Sequence, residues 1–190
     1  MLALAYDYQD DVEKLYSKLL VQDRFKWTST TPILNRPDWE KLRPFNYEEQ
    51  MYISLRNNMD NSTTIMGIIS YSIDHWCQAI SGLTCVRIGE DEKNNNGSIF
   101  MKDMLCAIHL AFYKYHFRKM SWSVIIGNPA EKSWDKFCNL SGGRIIGISK
   151  DDAFTADHVF RDVKHYELFA KDFYETSLGK NCIKMFKEYN

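Results

Sequence analysis

Residues 123–148 read SVIIGNPAEKSWDKFCNLSGGRIIGI, and their punctuation divides them into three parts. Residues 123–126 form a short apolar run stopped by Gly127, Asn128 and Pro129, the mark of a buried strand closed by a turn. Pro129 has no N–H for a sheet ladder but suits the first turn of a helix, where that N–H would find no partner. Trp134, Phe137 and Cys138 then supply an apolar stripe, and Gly142 with Gly143 closes the helix. Residues 144–148 resume as a strand.

The same order occurs just upstream. Residues 83–88 read as a strand, residues 90–97 as a polar loop, and Met101, Met104, Leu105, Ile108, Phe112 and Tyr115 recur at helical spacing up to the strand at 123. Two successive strand-helix-strand units call for parallel neighbours joined by right-handed crossovers. Before them, residues 51–55, 65–73 and 83–88 alternate with period two, with turn composition at 57–61, and predict an antiparallel meander. Residues 2–8 resemble a short strand. Asp10 with Glu13 makes a capping box for a helix whose face carries Val12, Leu15, Tyr16, Leu19 and Leu20. Residues 28–44 hold Pro32, Pro37 and Pro44 and allow one short helix. Residues 163–169 give a last strand, and residues 172–190 a terminal helix with Leu178, Ile183 and Phe186 on its apolar side. This predicts one domain over residues 1–170, with residues 171–190 as a helical tail packed on it.

Composition narrows the class. The 190 residues are 45% hydrophobic and 26% charged, which excludes disorder, collagen-like repeats and a coiled coil. Twenty-four Lys and Arg against 25 Asp and Glu leave no global field to draw nucleic acid or anionic lipid. The basic and aromatic run at 112–119 is read as helix packing rather than a nucleic-acid surface. The five cysteines are odd in number and widely spaced, as reduced thiols are, and His75 with Cys77 falls short of a metal site. Neither a leader pattern nor an apolar stretch of membrane-spanning length is present, so the expected setting is cytoplasmic, with no membrane and no metal.

The element order resembles that of the GNAT acyltransferase superfamily. The resemblance is carried by IIGNPAEKSWDKFCNLSGGRIIG and by RDVKHYEL at 161–168, and it spans roughly residues 51–169. It implies an α/β (α+β) fold: a mixed, mostly antiparallel sheet of six to seven strands flanked by helices, with two parallel, splayed central strands. It also implies an N-acyltransferase using acetyl-CoA or another acyl-CoA, and a small-molecule or protein amine as acceptor. A homodimer is compatible with it. The alternative is a catalytically inactive module of the same fold that recognises a protein partner.

The same resemblance assigns candidate residues. Asn94, Asn95, Asn96, Gly97, Ser98, Ile99 and Phe100 stand where the family has its phosphate loop and helix start, with Asn96 and Gly97 able to take positive φ. Viewed alone, the segment is an ordinary Asn/Gly turn. Val86, Arg87 and Ile88 would run beside the pantetheine arm, with a main-chain N–H near Ile88 facing the oxyanion. Asn128 would meet the arm, cap the next helix, or both. Glu90 is the candidate base, although Glu90, Asp91 and Glu92 also read as a solvated cluster. Family members carry a tyrosine acid on the helix after Asn-Pro. Trp134 stands there without a hydroxyl, which leaves Tyr166 as the substitute. His109 and His116 are read as rim residues of the long helix.

Overall fold

The computed structural model describes residues 1–4, 27, 49–60, 62–87, 96–155 and 157–189. The expected helices at 10–20 and within 28–44 lie outside the described residues. Seven strands form one sheet in the order β1-β2-β3-β4-β5-β7-β6. They are β1 (Leu2–Leu4), β2 (Glu49–Asn57), β3 (Thr63–Asp74), β4 (Ala79–Arg87), β5 (Lys119–Ile125), β6 (Arg144–Phe154) and β7 (Phe160–Phe169). Among the described residues the α-helices are α1 (Asn96–His109), α2 (Glu131–Ser141), α3 (Ala170–Glu175) and α4 (Ser177–Met185).

The meander is present, with β2, β3 and β4 antiparallel in succession. Its first turn is tied by side chains: the Asp60 carboxylate accepts from the Ser62 N–H at 3.0 Å and from its hydroxyl at 2.6 Å. The first crossover also holds, since β4 and β5 are parallel neighbours. The second does not make neighbours. β7 lies between β5 and β6, antiparallel to both. Burial accounts for the choice: Tyr166 and Leu168 of β7 are wholly buried, whereas β6 is solvent-exposed along most of its length and broken by two bulges, as suits an edge.

One face of the sheet carries the main core, where Ile69, Ile80, Met120, Trp122 and Leu168 meet Met104, Ile108 and Phe137 of the helices. The C-terminal tail joins the same core through Phe173, Cys182 and Phe186. It is two helices rather than one, because the Thr176 hydroxyl accepts from the Gly179 N–H at 3.0 Å and starts α4 afresh.

The long helix departs from its expected face. α1 passes into a π-helical turn, Leu110–Lys114, closed by the Tyr115 N–H donating to the Leu110 carbonyl at 3.0 Å. The wider turn shifts the stripe, so Phe112 stays buried while Tyr115 rotates out. His109 is not a rim residue. It is fully buried, stacked on Tyr113 and bonded through Nδ1 to the Tyr174 hydroxyl at 3.1 Å. His116 is exposed and takes φ 57° where the helix ends.

Candidate functional site

β4 and β5 are paired at only two positions, Ala79 with Lys119 and Ile80 with Met120. Just behind them the Arg118 N–H donates to the Gln78 carbonyl at 2.8 Å. Immediately beyond, β4 bulges: Gly82 and Leu83 together oppose Tyr71 of β3, and Gly82 adopts φ 62°. A bulge bends its strand, and glycine takes a positive φ without a Cβ penalty. From there β4 continues to Arg87 and β5 to Ile125 with no further pairing between them. The sheet therefore opens into a wedge with its crotch beside Gly82.

The start of α1 is anchored at the open end. The Phe100 ring packs so closely over Gly67 of β3 that a Cβ there would lie 2.4 Å from the ring and 2.5 Å from the Val86 carbonyl oxygen. One turn further on, the Asp103 carboxylate accepts from the Ser54 hydroxyl at 2.7 Å. These contacts hold the first turn of α1 over the end of β4. Asn96, Gly97, Ser98 and Ile99 make up the first described turn of α1. Asn96 and Gly97 are thus helical residues, not the positive-φ loop that their types suggested. The Phe100 ring belongs to the core.

Val86 and Arg87 are half-buried at the end of β4, on the wedge. Ile88, Glu90, Asn94 and Asn95 lie outside the described residues. Asn128 sits beyond the tip of β5. Its side-chain oxygen accepts from the Ala130 N–H and its carbonyl from the Glu131 N–H, each at 2.9 Å, so it organises the entry to α2.

Tyr166 is placed differently from an exposed acid. Its ring is stacked on Trp122 with centroids 5.2 Å apart, and its hydroxyl donates to Asp135 of α2 at 2.7 Å. Burial, reinforced by the neighbouring Asp135 carboxylate, raises its pKa far above the usual phenol range. Asp135 is held below the usual carboxylate range, first by the Tyr166 hydroxyl and then by Lys164, whose ammonium is 3.2 Å away. Lys164 also pairs with Glu131 at 2.5 Å, and that bond lowers the Glu131 pKa in turn.

Two features escaped the sequence reading. On the face away from α2, His165 of β7 bridges three strands: Nδ1 meets the Ser123 hydroxyl and Nε2 the Ser149 hydroxyl, both at 2.8 Å, with Asp152 at 3.9 Å. The bulge after Ser149 brings Asp152 there, and Gly147, opposite His165, leaves open space where a side chain would stand. The visible signal was the alternation of polar residues on 161–168, which places His165 on the face opposite Tyr166. The second feature is the indole N–H of Trp122, the one buried side-chain polar atom without a partner among the described residues. Nothing in sequence marks an unpaired donor.

These groups fit an acyl-CoA. Free N–H groups at a helix start suit a diphosphate, and an open strand edge suits an amide-bearing arm.

Comparison with solved structures gives the same architecture. Spermidine N-acetyltransferase from Vibrio cholerae, in complex with CoA and spermine, matches with a TM-score of 0.71 at 12% identity, over 91% of this chain and 96% of that one. A point mutant of the Vibrio cholerae spermidine N-acetyltransferase SpeG matches at 0.67 and 13% identity, over 91% and 96%. The Vibrio cholerae spermidine/spermine N-acetyltransferase SpeG in complex with manganese ions matches at 0.64 and 11% identity, over 92% and 95%. No family model and no curated protein sequence matches the chain. The chain thus has the GNAT fold, the mixed sheet with a parallel, splayed centre.

Proposed function

We propose that the protein is an acyl-CoA-dependent N-acyltransferase that moves an acetyl group from acetyl-CoA to a primary amine by direct attack. The observation that carries this is the pairing of β4 with β5 at two positions only, followed by a wedge with Phe100, in the first described turn of α1, packed at its open end.

In this reading the first turn of α1, from Asn96 to Ile99, receives the diphosphate, with Asn94 and Asn95 leading into it. Val86, Arg87 and Ile88 flank the arm, and Asn128 closes the far wall beyond β5. Acetyl-CoA supplies an acyl group activated as a thioester. The chain orients it and takes a proton from the incoming ammonium. Glu90, directly after β4, serves as that base, or His165 does so through the Ser123 hydroxyl on the other face of the wedge strand. Tyr166 gives its hydrogen to Asp135 and supplies none, so the thiolate departs unassisted, as its low conjugate-acid pKa permits. Spermidine and spermine, the amines of the structural neighbours, are the first acceptors to try. Three buried free cysteines, Cys106, Cys138 and Cys182, agree with a cytoplasmic setting.

Thermal melting with acetyl-CoA tests the binding step. At a hundredfold excess over Kd, linkage is about 2.7 kcal/mol, which raises Tm by about 5–10 °C for a chain of this length. No shift with acetyl-CoA, CoA or longer acyl-CoAs contradicts the proposal. The locked Tyr166 and the hydroxyl-free Trp134 favour a second reading, an inactive binding module of the same fold. Release of CoA thiol with any amine of a broad panel eliminates that second reading.

A further inference from the structure

Ser123 stands on the wall of the wedge. It lies three residues past Met120, the last residue of β5 paired with β4, and so about 10 Å beyond that pair. Trp122 belongs to the core beneath α1 and α2, so Ser123 points to the opposite face, where it is exposed. Because the core fills the first face, an amine reaches the wedge, among the described residues, from the face that carries Ser123. His165 is the direct partner of Ser123 on β7 and meets its hydroxyl through Nδ1 at 2.8 Å. The other ring nitrogen, Nε2, meets the Ser149 hydroxyl at 2.8 Å and faces the Asp152 carboxylate at 3.9 Å. Asp152 arrives there because three residues of β6, 150–152, oppose the single Asp162 of β7. That bulge is pinned: the Asp162 carboxylate accepts from the Lys150 ammonium at 2.6 Å and from the Asp151 N–H at 3.1 Å. Glu167, next on this face of β7, is already engaged by Arg144 and Lys119, and Gly147, opposite His165, leaves open space beside the ring.

A carboxylate on the Nε2 side places the ring's hydrogen on that nitrogen and leaves Nδ1 bare to accept the Ser123 hydroxyl. The Ser123 oxygen then has its own hydrogen committed and its lone pairs open to a donor such as an ammonium. We propose that Ser123, His165 and Asp152 form the proton path of the acyl transfer. The acceptor ammonium gives a proton to Ser123 Oγ as the Ser123 hydrogen passes to His165 Nδ1, and the Asp152 carboxylate faces the imidazolium so formed. The neutral amine attacks the thioester carbonyl and the C–N bond forms. The thiolate leaves with the C–S electron pair and takes the second amine proton, and His165 returns its proton to water. This rests on the acyl-CoA reading above and decides between its two bases in favour of His165. Ser123 touches the acceptor, whereas Asp152 acts through His165 as a positioning residue.

Calorimetric titration with acetyl-CoA establishes occupancy, and release of CoA thiol with spermidine, spermine and other primary amines reads turnover. Ser123→Ala and His165→Gln each lower kcat about 100-fold or more while the acetyl-CoA Kd stays within about twofold. Ser123→Thr keeps the hydroxyl and restores kcat to within about tenfold of the parent. The side-chain 15N spectrum of the five histidines adds a signature independent of turnover. The His165 signals, those missing in His165→Gln, show Nε2 protonated and Nδ1 bare in the resting protein. Should that variant not fold, Ser123→Ala, at an exposed position, carries the kinetic test and identifies the His165 signals as those it moves. A protonated, uncharged ring with its hydrogen on Nδ1 overturns the proposal. So does a kcat within about threefold of the parent in Ser123→Ala or His165→Gln, the result expected of a bridge that only ties strands together. Binding of acetyl-CoA without thiol release to any amine also overturns it, in favour of the inactive module. Absence of calorimetric binding instead removes the acyl-CoA reading, and this inference with it.

Discussion

Gly67→Ala probes the joint on which the candidate site depends. The added Cβ would stand 2.4 Å from the Phe100 ring and 2.5 Å from the Val86 carbonyl oxygen, both below any real carbon contact. The ring cannot simply rotate away, because it is buried in the core, and the carbonyl belongs to β4 itself. Either the first turn of α1 lifts or the end of β4 shifts. Overpacking of this kind costs about 1–3 kcal/mol, which lowers Tm by about 3–10 °C in a chain of this size. Both displacements move groups assigned to the cofactor, so acetyl-CoA affinity should fall as well. Gly147→Ala is the control: its Cβ would meet nothing within 4 Å, its φ is not in the left-handed region, and its Tm should change by no more than about 2 °C. Melting by circular dichroism, with calorimetric titration of acetyl-CoA, reads both effects. A Gly67→Ala protein as stable as Gly147→Ala refutes the packing of Phe100 on Gly67.

Tyr166→Phe removes a buried hydroxyl that donates to Asp135 and should cost about 1 kcal/mol of stability in a thermal melt while leaving kcat within about threefold of the parent; a loss of a hundredfold or more would return Tyr166 to the role of acid. Gly97→Glu places a carboxylate in the turn of α1 assigned to the diphosphate, and should abolish the acetyl-CoA-dependent rise in Tm while the ligand-free melt changes by less than about 1 kcal/mol; an unchanged rise removes the diphosphate from this turn. The carboxyl pKa of Asp135 is depressed in the folded protein, so its contribution to stability is complete above the ordinary carboxylate range and lost as pH falls through the folded value. Asp135→Asn keeps an oxygen for Tyr166 but no charge for Lys164, so its Tm should fall less steeply than the parent's between about pH 5 and pH 2; parallel curves refute the pairing.

Local pattern made much of the fold legible. Period two announced the meander, the turn composition of residues 57–61 its first turn, and the Gly-Asn-Pro and Gly-Gly pairs framed α2. Strand order was harder, because the insertion of β7 between β5 and β6 follows from which hairpin strand buries both faces, a property of the finished sheet. The π-helical turn after His109 adds no residue type of its own and shows only in the displaced stripe. At the candidate site the order of strand, loop and helix was readable and the contacts were not: the wedge arises where a Gly82 bulge follows two paired residues, and the polar bridge at His165 needs three strands in register before Ser123, Ser149 and Asp152 converge. Tyr166 could be placed on its strand, but its partner Asp135 comes from another element and decides what the hydroxyl can do.

Hydrogen exchange with and without saturating acetyl-CoA addresses the wedge most directly. Main-chain amides over residues 83–88 and 95–99 should slow when the ligand binds, with little change on the far β1–β2 edge of the sheet. Full occupancy with those two segments exchanging as before would place the coenzyme elsewhere and contradict the account.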